Sequence, residues 1–187
     1  NKFIVATNQN NILHRAISKG TYNKENVSET ITPSMDIQIA SNFERLIFDL
    51  NNHSDKKTID VMKDIKEKGK YEIQKENLDK INVDFLSSRM NENEVLNTIK
   101  TVYEKFDKVL DPHSAIGYGA FDKVNLKGNN IVLATAHPCK FPDAIEKAIN
   151  IKAELPSELA FILDEKENYD ILENNLDKIK QHIKERI

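Results

Sequence analysis

Thr135, Ala136, His137 and Pro138 follow directly on the apolar run Asn130–Ala134 (NIVLA), and the helical spacing of Phe141, Ile145, Ala148 and Ile149 begins just after them. If that run is a parallel strand, the hydroxyl and the imidazole stand at its carboxyl end, where open α/β sheets bind ligands. The plain alternative is a helix start, with Pro138 in the first turn, Asp143 and Glu146 early in the helix, and the hydroxyl satisfying a helix amide. Asp111-Pro112-His113 reads as a helix start, with the aspartate before proline. Asn8 and Asn10 follow a second apolar run, Phe3–Thr7, and are either turn formers or groups facing the same crevice. Arg45 matches phosphate geometry through its guanidinium, or it pairs with Asp36 or Asp49.

Several kinds of chemistry find no residues here. The five histidines (His14, His53, His113, His137, His182) show no metal-ligand spacing, so no metal site is expected. There is no GxSxG elbow, GxxxxGK[ST] loop or GxGxxG fingerprint. Gly117 and Gly119 fall inside a predicted helix, where they suit close packing. The 27 basic and 30 acidic residues interleave to a net charge of −3, against a nucleic-acid surface. No apolar stretch approaches the roughly 20 residues of a membrane span. The single cysteine, Cys139, excludes an internal disulfide and suits a cytoplasmic setting. A chain that opens at Asn1 and enters an apolar run within two residues reads as part of a longer protein.

The elements that must position these groups form an α/β pattern. Phe3–Thr7 reads as a buried strand, followed by a helix from about Asn11 to Lys19 closed by Gly20. Val27–Ile31 is a weaker strand candidate. A helix capped by Thr32 or Ser34 would bury Ile39, Phe43, Leu46, Ile47 and Leu50. Asp55–Gly69 reads as a charged helix packed through Ile59, Met62 and Ile65, and Val83–Met90 as a short strand or an extended connection. Asn91 caps a long helix with Val95, Ile99, Val102, Phe106 and Leu110 on one face. Asn130–Ala134 returns as a strand, and Leu172, Leu176, Ile179, Ile183 and Ile187 mark a final amphipathic helix. The expected organisation is an α/β core start over 1–33, a mostly helical insertion over 34–110, and a return to the α/β core with carboxyl-terminal helices over 111–187. Strands are too few for a self-sufficient sheet.

Four blocks carry a family resemblance: Phe3–Tyr22 (FIVATNQNNILHRAISKGTY), Ser28–Leu50 (with PSMDI and SNFERL), Leu110–Ala120 (LDPHSAIGYGA) and Leu133–Ala148 (LATAHPCKFPDAIEKA). In order and spacing they resemble the carboxyl-terminal portion of threonine synthase, a pyridoxal-phosphate lyase with the parallel-sheet large domain of the tryptophan synthase beta-like group. Asn11, where the family commonly has Asp, and Cys139, where Ala is usual, depart from it. The resemblance covers nearly the whole chain, though Asp55–Thr101 carries little of it.

The resemblance implies threonine biosynthesis: O-phospho-L-homoserine and water become L-threonine and phosphate by β,γ-replacement. Protons leave Cα and then Cβ, phosphate departs from Cγ, and water adds at Cβ, with pyridoxal 5'-phosphate as the electron sink. It further implies that Thr135 meets the pyridine nitrogen of the cofactor as a neutral partner, with His113 and Asn8 as further cofactor contacts. The Schiff-base lysine and the glycine-rich phosphate loop lie in the family's amino-terminal half. No catalytic residue is therefore assigned in this chain, and its expected partner, besides the substrate, is that missing half of the same polypeptide. Alone, it is expected to be inactive. The alternative, a non-catalytic α/β-helical module that docks a protein partner, accounts for the helical excess but not for four blocks in order.

Overall fold

The computed structural model describes all 187 residues. In chain order, unit 1 (Asn1–Ala153) contains strand β1 (Phe3–Thr7), helix α1 (Ile12–Lys19), strand β2 (Thr21–Asn23), helices α2 (Phe43–Leu50) and α3 (Asp55–Lys68), strand β3 (Lys70–Glu72), helix α4 (Lys75–Asp84), strand β4 (Phe85–Arg89), and helices α5 (Glu92–Phe106), α6 (Pro112–Val124) and α7 (Pro142–Ile149). β1 and β4 pair in parallel, from Phe3 opposite Phe85 to Thr7 opposite Arg89. β2 and β3 pair antiparallel. The expected α/β class holds, with a parallel pair and an excess of helix.

Local signals set most helix ends. Gly20 takes the left-handed conformation (φ 75°) that closes α1, and its N–H reaches the Ala16 carbonyl. Asn91 and Glu94 form a reciprocal capping box at the start of α5. Two apolar clusters hold the unit. One joins α1, β2, α2, α3 and α4 through Ile12, Ile17, Tyr22, Phe43, Ile47, Ile65 and Ile81. Within it the rings of Tyr22 and Phe43 stack at 4.8 Å, and the Tyr22 hydroxyl accepts the Ala40 N–H at 2.8 Å. The other joins α5, α6 and α7 to the end of β4 through Met90, Val95, Ile99, Ala115, Ile116 and Ile145. A Cβ on Gly119 would collide with the Met90 thioether, so that glycine does permit a close approach.

Several sequence expectations need correction. Asn130–Ala134 forms no strand; Ile131 is 90% and Leu133 75% exposed. Its β-branched composition is right for a strand, but a parallel strand needs a neighbouring edge, and none of the four strands pairs with it. Val27–Ile31 is also irregular, and the strand nearby is the shorter β2. The helix expected from Thr32 or Ser34 divides into a 3-10 turn at Pro33–Met35 and α2, because the Thr32 side chain bonds to Asn8 and Thr30 rather than capping. Ile59 is exposed on α3 and Phe106 on α5. Helix α4 carried too weak a stripe to be read, with Ile81 its one buried residue. By contrast, β4 falls within Val83–Met90, where a short strand or an extended connection is expected, and pairs with β1.

Residues Glu154–Ile187 form unit 2, with a 3-10 segment at Ser157–Leu163 and helix α8 (Leu176–Lys184). The Asn175 side chain caps α8 by accepting the N–H groups of Asp177 and Lys178. Arg186 reaches back to Asp170 at 2.9 Å.

Candidate functional site

Pro112 starts α6, so Asp111 takes the cap position with its carboxylate turned onto the free amides of the first turn. Oδ1 accepts from the N–H groups of His113 (2.9 Å) and Ser114 (3.3 Å), and Oδ2 accepts from the Ser114 hydroxyl. Asp111 is 2% exposed. The 8%-exposed His113 ring lies 4.8 Å from the Phe141 ring at a 53° tilt. Its Nδ1 is 3.3 Å from Asp111 Oδ1 but lacks hydrogen-bond geometry, leaving both ring nitrogens buried without a partner. Buried orphan nitrogens are uncommon and costly.

Thr135 joins this cluster through its backbone. Its N–H donates to Ser114 Oγ at 3.0 Å, while the residue itself is exposed. Of the two readings for Thr135, the hydroxyl capping a helix amide is not the bond found; the helix side chain accepts the threonine's amide instead. Asp111, His113 and Thr135 are therefore brought together. Ser114 was missed, although its position three residues after a cap aspartate places its hydroxyl over the carboxylate.

His137 stands aside. Its Nδ1 accepts the Cys139 N–H at 3.2 Å and lies 2.9 Å from the thiol, capping the 3-10 turn Pro138–Lys140. Accepting at Nδ1 puts the ring proton on Nε2.

Asn8 and Asn10 form a separate buried polar knot at the end of β1. Asn8 Nδ2 lies 3.0 Å from Thr30 Oγ1, 2.9 Å from Thr32 Oγ1 and 2.7 Å from Asp36 Oδ1, its two protons shared among the three, and its Oδ1 accepts the Asn10 N–H (2.8 Å). Asn10 exchanges bonds with the Ser28 backbone and also reaches Asp36. The knot ties the PSMDI stretch to the strand. Thr7, the last residue of β1, keeps a buried hydroxyl without a partner.

Arg45 pairs with neither expected acid: Asp36 belongs to the knot, and Asp49 meets His53 at 3.0 Å. It lines an open cleft of about 840 Å³ together with Glu44, Phe48, Asp49, Asp55 and Ile59. Three carboxylates around one guanidinium make that cleft unsuited to a phosphate dianion. No group of three His, Cys, Asp or Glu side chains is placed to hold a metal ion, and no helix is long and apolar enough to cross a membrane.

Comparison with known proteins gives this arrangement a context. The family model described as threonine synthase, C-terminal, matches residues 114–183. The chain is 37% identical over 185 residues to threonine synthase of Pseudomonas aeruginosa, covering 97% of this chain and 39% of that protein. It is 33% identical over 213 residues to threonine synthase of Saccharomyces cerevisiae, covering 100% and 41%. A crystal structure of PLP-bound threonine synthase from Brucella melitensis superposes with a TM-score of 0.87 at 37% identity, over 98% of this chain and 40% of that one. The yeast threonine synthase structure superposes at 0.83 and 33% identity, over 98% and 42%. The chain thus spans about two-fifths of the length of the curated relatives it matches. In sequence and in fold, the chain belongs to the threonine synthase family and corresponds to its carboxyl-terminal portion.

Proposed function

We propose that the chain serves as the carboxyl-terminal part of a pyridoxal-phosphate-dependent threonine synthase lyase, which converts O-phospho-L-homoserine and water to L-threonine and phosphate in the cytoplasm. The observation that carries the reading is Thr135: an exposed residue pinned by its own amide to the start of α6, beside a buried acid and a buried imidazole. That set fits one end of the cofactor. A hydroxyl both donates and accepts, so it matches a pyridine nitrogen without imposing a charge. When bound, the cofactor supplies the electron sink for proton loss from the amino acid.

The role assigned to this chain is orientation. Thr135 would meet the ring-nitrogen end, as a neutral hydroxyl rather than a carboxylate. His113, with two orphan nitrogens, is the second residue assigned to the cofactor or to groups around it. Asn8 acts more distantly, because its amide nitrogen already serves Thr30, Thr32 and Asp36. The Schiff-base lysine and the phosphate loop are assigned to the remaining three-fifths of the family's length, which is also the proposed partner of this chain.

Replacing Thr135 by Val in the full-length enzyme tests the reading. The variant is expected to retain cofactor but to shift its absorption spectrum and to lose about 10- to 100-fold in kcat, the size of a lost polar contact to a reacting group. Wild-type kinetics and an unchanged spectrum would remove Thr135 from the site.

A further inference from the structure

Building on the proposed function, we infer that Ser114 is a positioning residue for Thr135, acting as a one-way hydrogen-bond relay between the α6 cap and the cofactor-facing threonine. A serine hydroxyl has one proton and two lone pairs. The Asp111 carboxylate only accepts, so the Ser114 proton is committed to Asp111 Oδ2. The hydroxyl oxygen must then face a donor, and the donor present is the Thr135 N–H at 3.0 Å. Asp111 is itself fixed by the His113 and Ser114 amides. Each bond in the series therefore has a set direction: the Thr135 N–H donates to the Ser114 hydroxyl, the hydroxyl donates to the Asp111 carboxylate, and the first helix amides donate to the same carboxylate.

The relay matters because little else holds Thr135. Residues 126–137 contain neither helix nor strand. The side-chain bonds of Asn130 go to Leu126 and Gly128, within the segment itself. The Thr135–Ser114 bond leaves the segment for α6, supported by Val132 packed near Gly117. A residue that meets a cofactor atom has to be held to within about 0.5 Å. With irregular backbone on both sides, Ser114 supplies that restraint, and the buried Asp111 supplies the restraint on Ser114.

Amide hydrogen exchange on this chain tests the relay without cofactor. In the wild type the Thr135 amide is expected to exchange at least about tenfold more slowly than those of Ala134 and Ala136, the protection of one hydrogen bond. Ser114→Ala is expected to erase that difference while Ala120, within α6, keeps its protection. Equal wild-type rates at Thr135 and its neighbours, or protection that survives Ser114→Ala, would overturn the relay. Should Ser114→Ala also expose Ala120, Ser114→Cys takes its place: its thiol still donates to Asp111 but accepts weakly, so Thr135 exchange must rise with the helix intact, and unchanged exchange overturns the relay. In the cofactor-loaded full-length enzyme, Ser114→Ala is expected to shift the cofactor absorption in the same direction as Thr135→Val. A shift with Thr135→Val and none with Ser114→Ala would sink the positioning role and leave the proposed function standing. No shift with Thr135→Val would remove Thr135 from the cofactor site, and with it the reading on which the positioning role rests, with the relay itself still judged by exchange.

Discussion

A half-buried imidazole near cations stays neutral more readily than a free one, and His14 is such a group. Burial is the first cause that lowers its pKa below the ordinary 6.5, and the charges of Arg89 and Lys19 add to it, while the ring bonds to Ser87 at 2.9 Å. A depressed histidine pKa means that the unfolded chain binds the proton more tightly. Stability from a neutral His14 is therefore present above pH 6.5 and is lost as the pH falls through the lower folded value. His14→Gln is expected to flatten the pH dependence of urea unfolding between about pH 7 and 5; an unchanged slope would mean that His14 is not the group responsible. At this scale the sequence was partly informative. Thr135, Asp111 and His113 were legible as residue types at helix-start spacing. The polar knot was not, since nothing in the spacing of Asn8, Thr30 and Asp36 shows that three separate turns converge on one amide.

Helix α5 and its neighbour α6 carry the element-scale tests. Glu94 accepts the Asn91 N–H at 2.7 Å and pairs with Lys123 at 2.7 Å, and the Lys123 contact is the first cause of its depressed pKa. A depressed carboxylate stabilises above its unfolded value of 4.5 and stops doing so as the pH falls through the folded value. Glu94→Gln, partly exposed, is expected to cost less than about 1 kcal/mol near neutrality, with the gap to wild type closing in acid. Asn91→Ala removes the cap and is expected to cost about 1 kcal/mol. Gly119→Ala drives a methyl into the buried Met90 side chain and is expected to cost about 1–3 kcal/mol by urea unfolding. Helices with strong stripes and caps were legible because their information is local. β4 reads from its sequence as a strand or an extended connection, but β2 and β3 are three residues each, too short for an alternation to register. Their existence depends on the partner across the ladder, which no local pattern names.

For the whole molecule, two two-stranded sheets leave edges open, and Phe3, Ile131 and Leu133 stay exposed on unit 1. Apolar groups beside free edges favour association. This chain alone is expected to self-associate with rising concentration in sedimentation, and Leu133→Lys to weaken that association; a monomer at all concentrations would show the surface to be inert. The misread strand at Asn130–Ala134 has the same origin. Propensity favours it, but pairing requires an edge that these residues do not reach. The four family blocks were legible because each combines rare residue types at fixed spacing, and they led to the threonine synthase family more directly than any fold reading did. The most direct measurement of the central claim joins this chain to the remaining three-fifths of a threonine synthase and follows phosphate and L-threonine from O-phospho-L-homoserine. Equimolar formation of both, dependent on pyridoxal phosphate and reduced by Thr135→Val, is the result expected; no turnover from a folded, cofactor-loaded protein would contradict it.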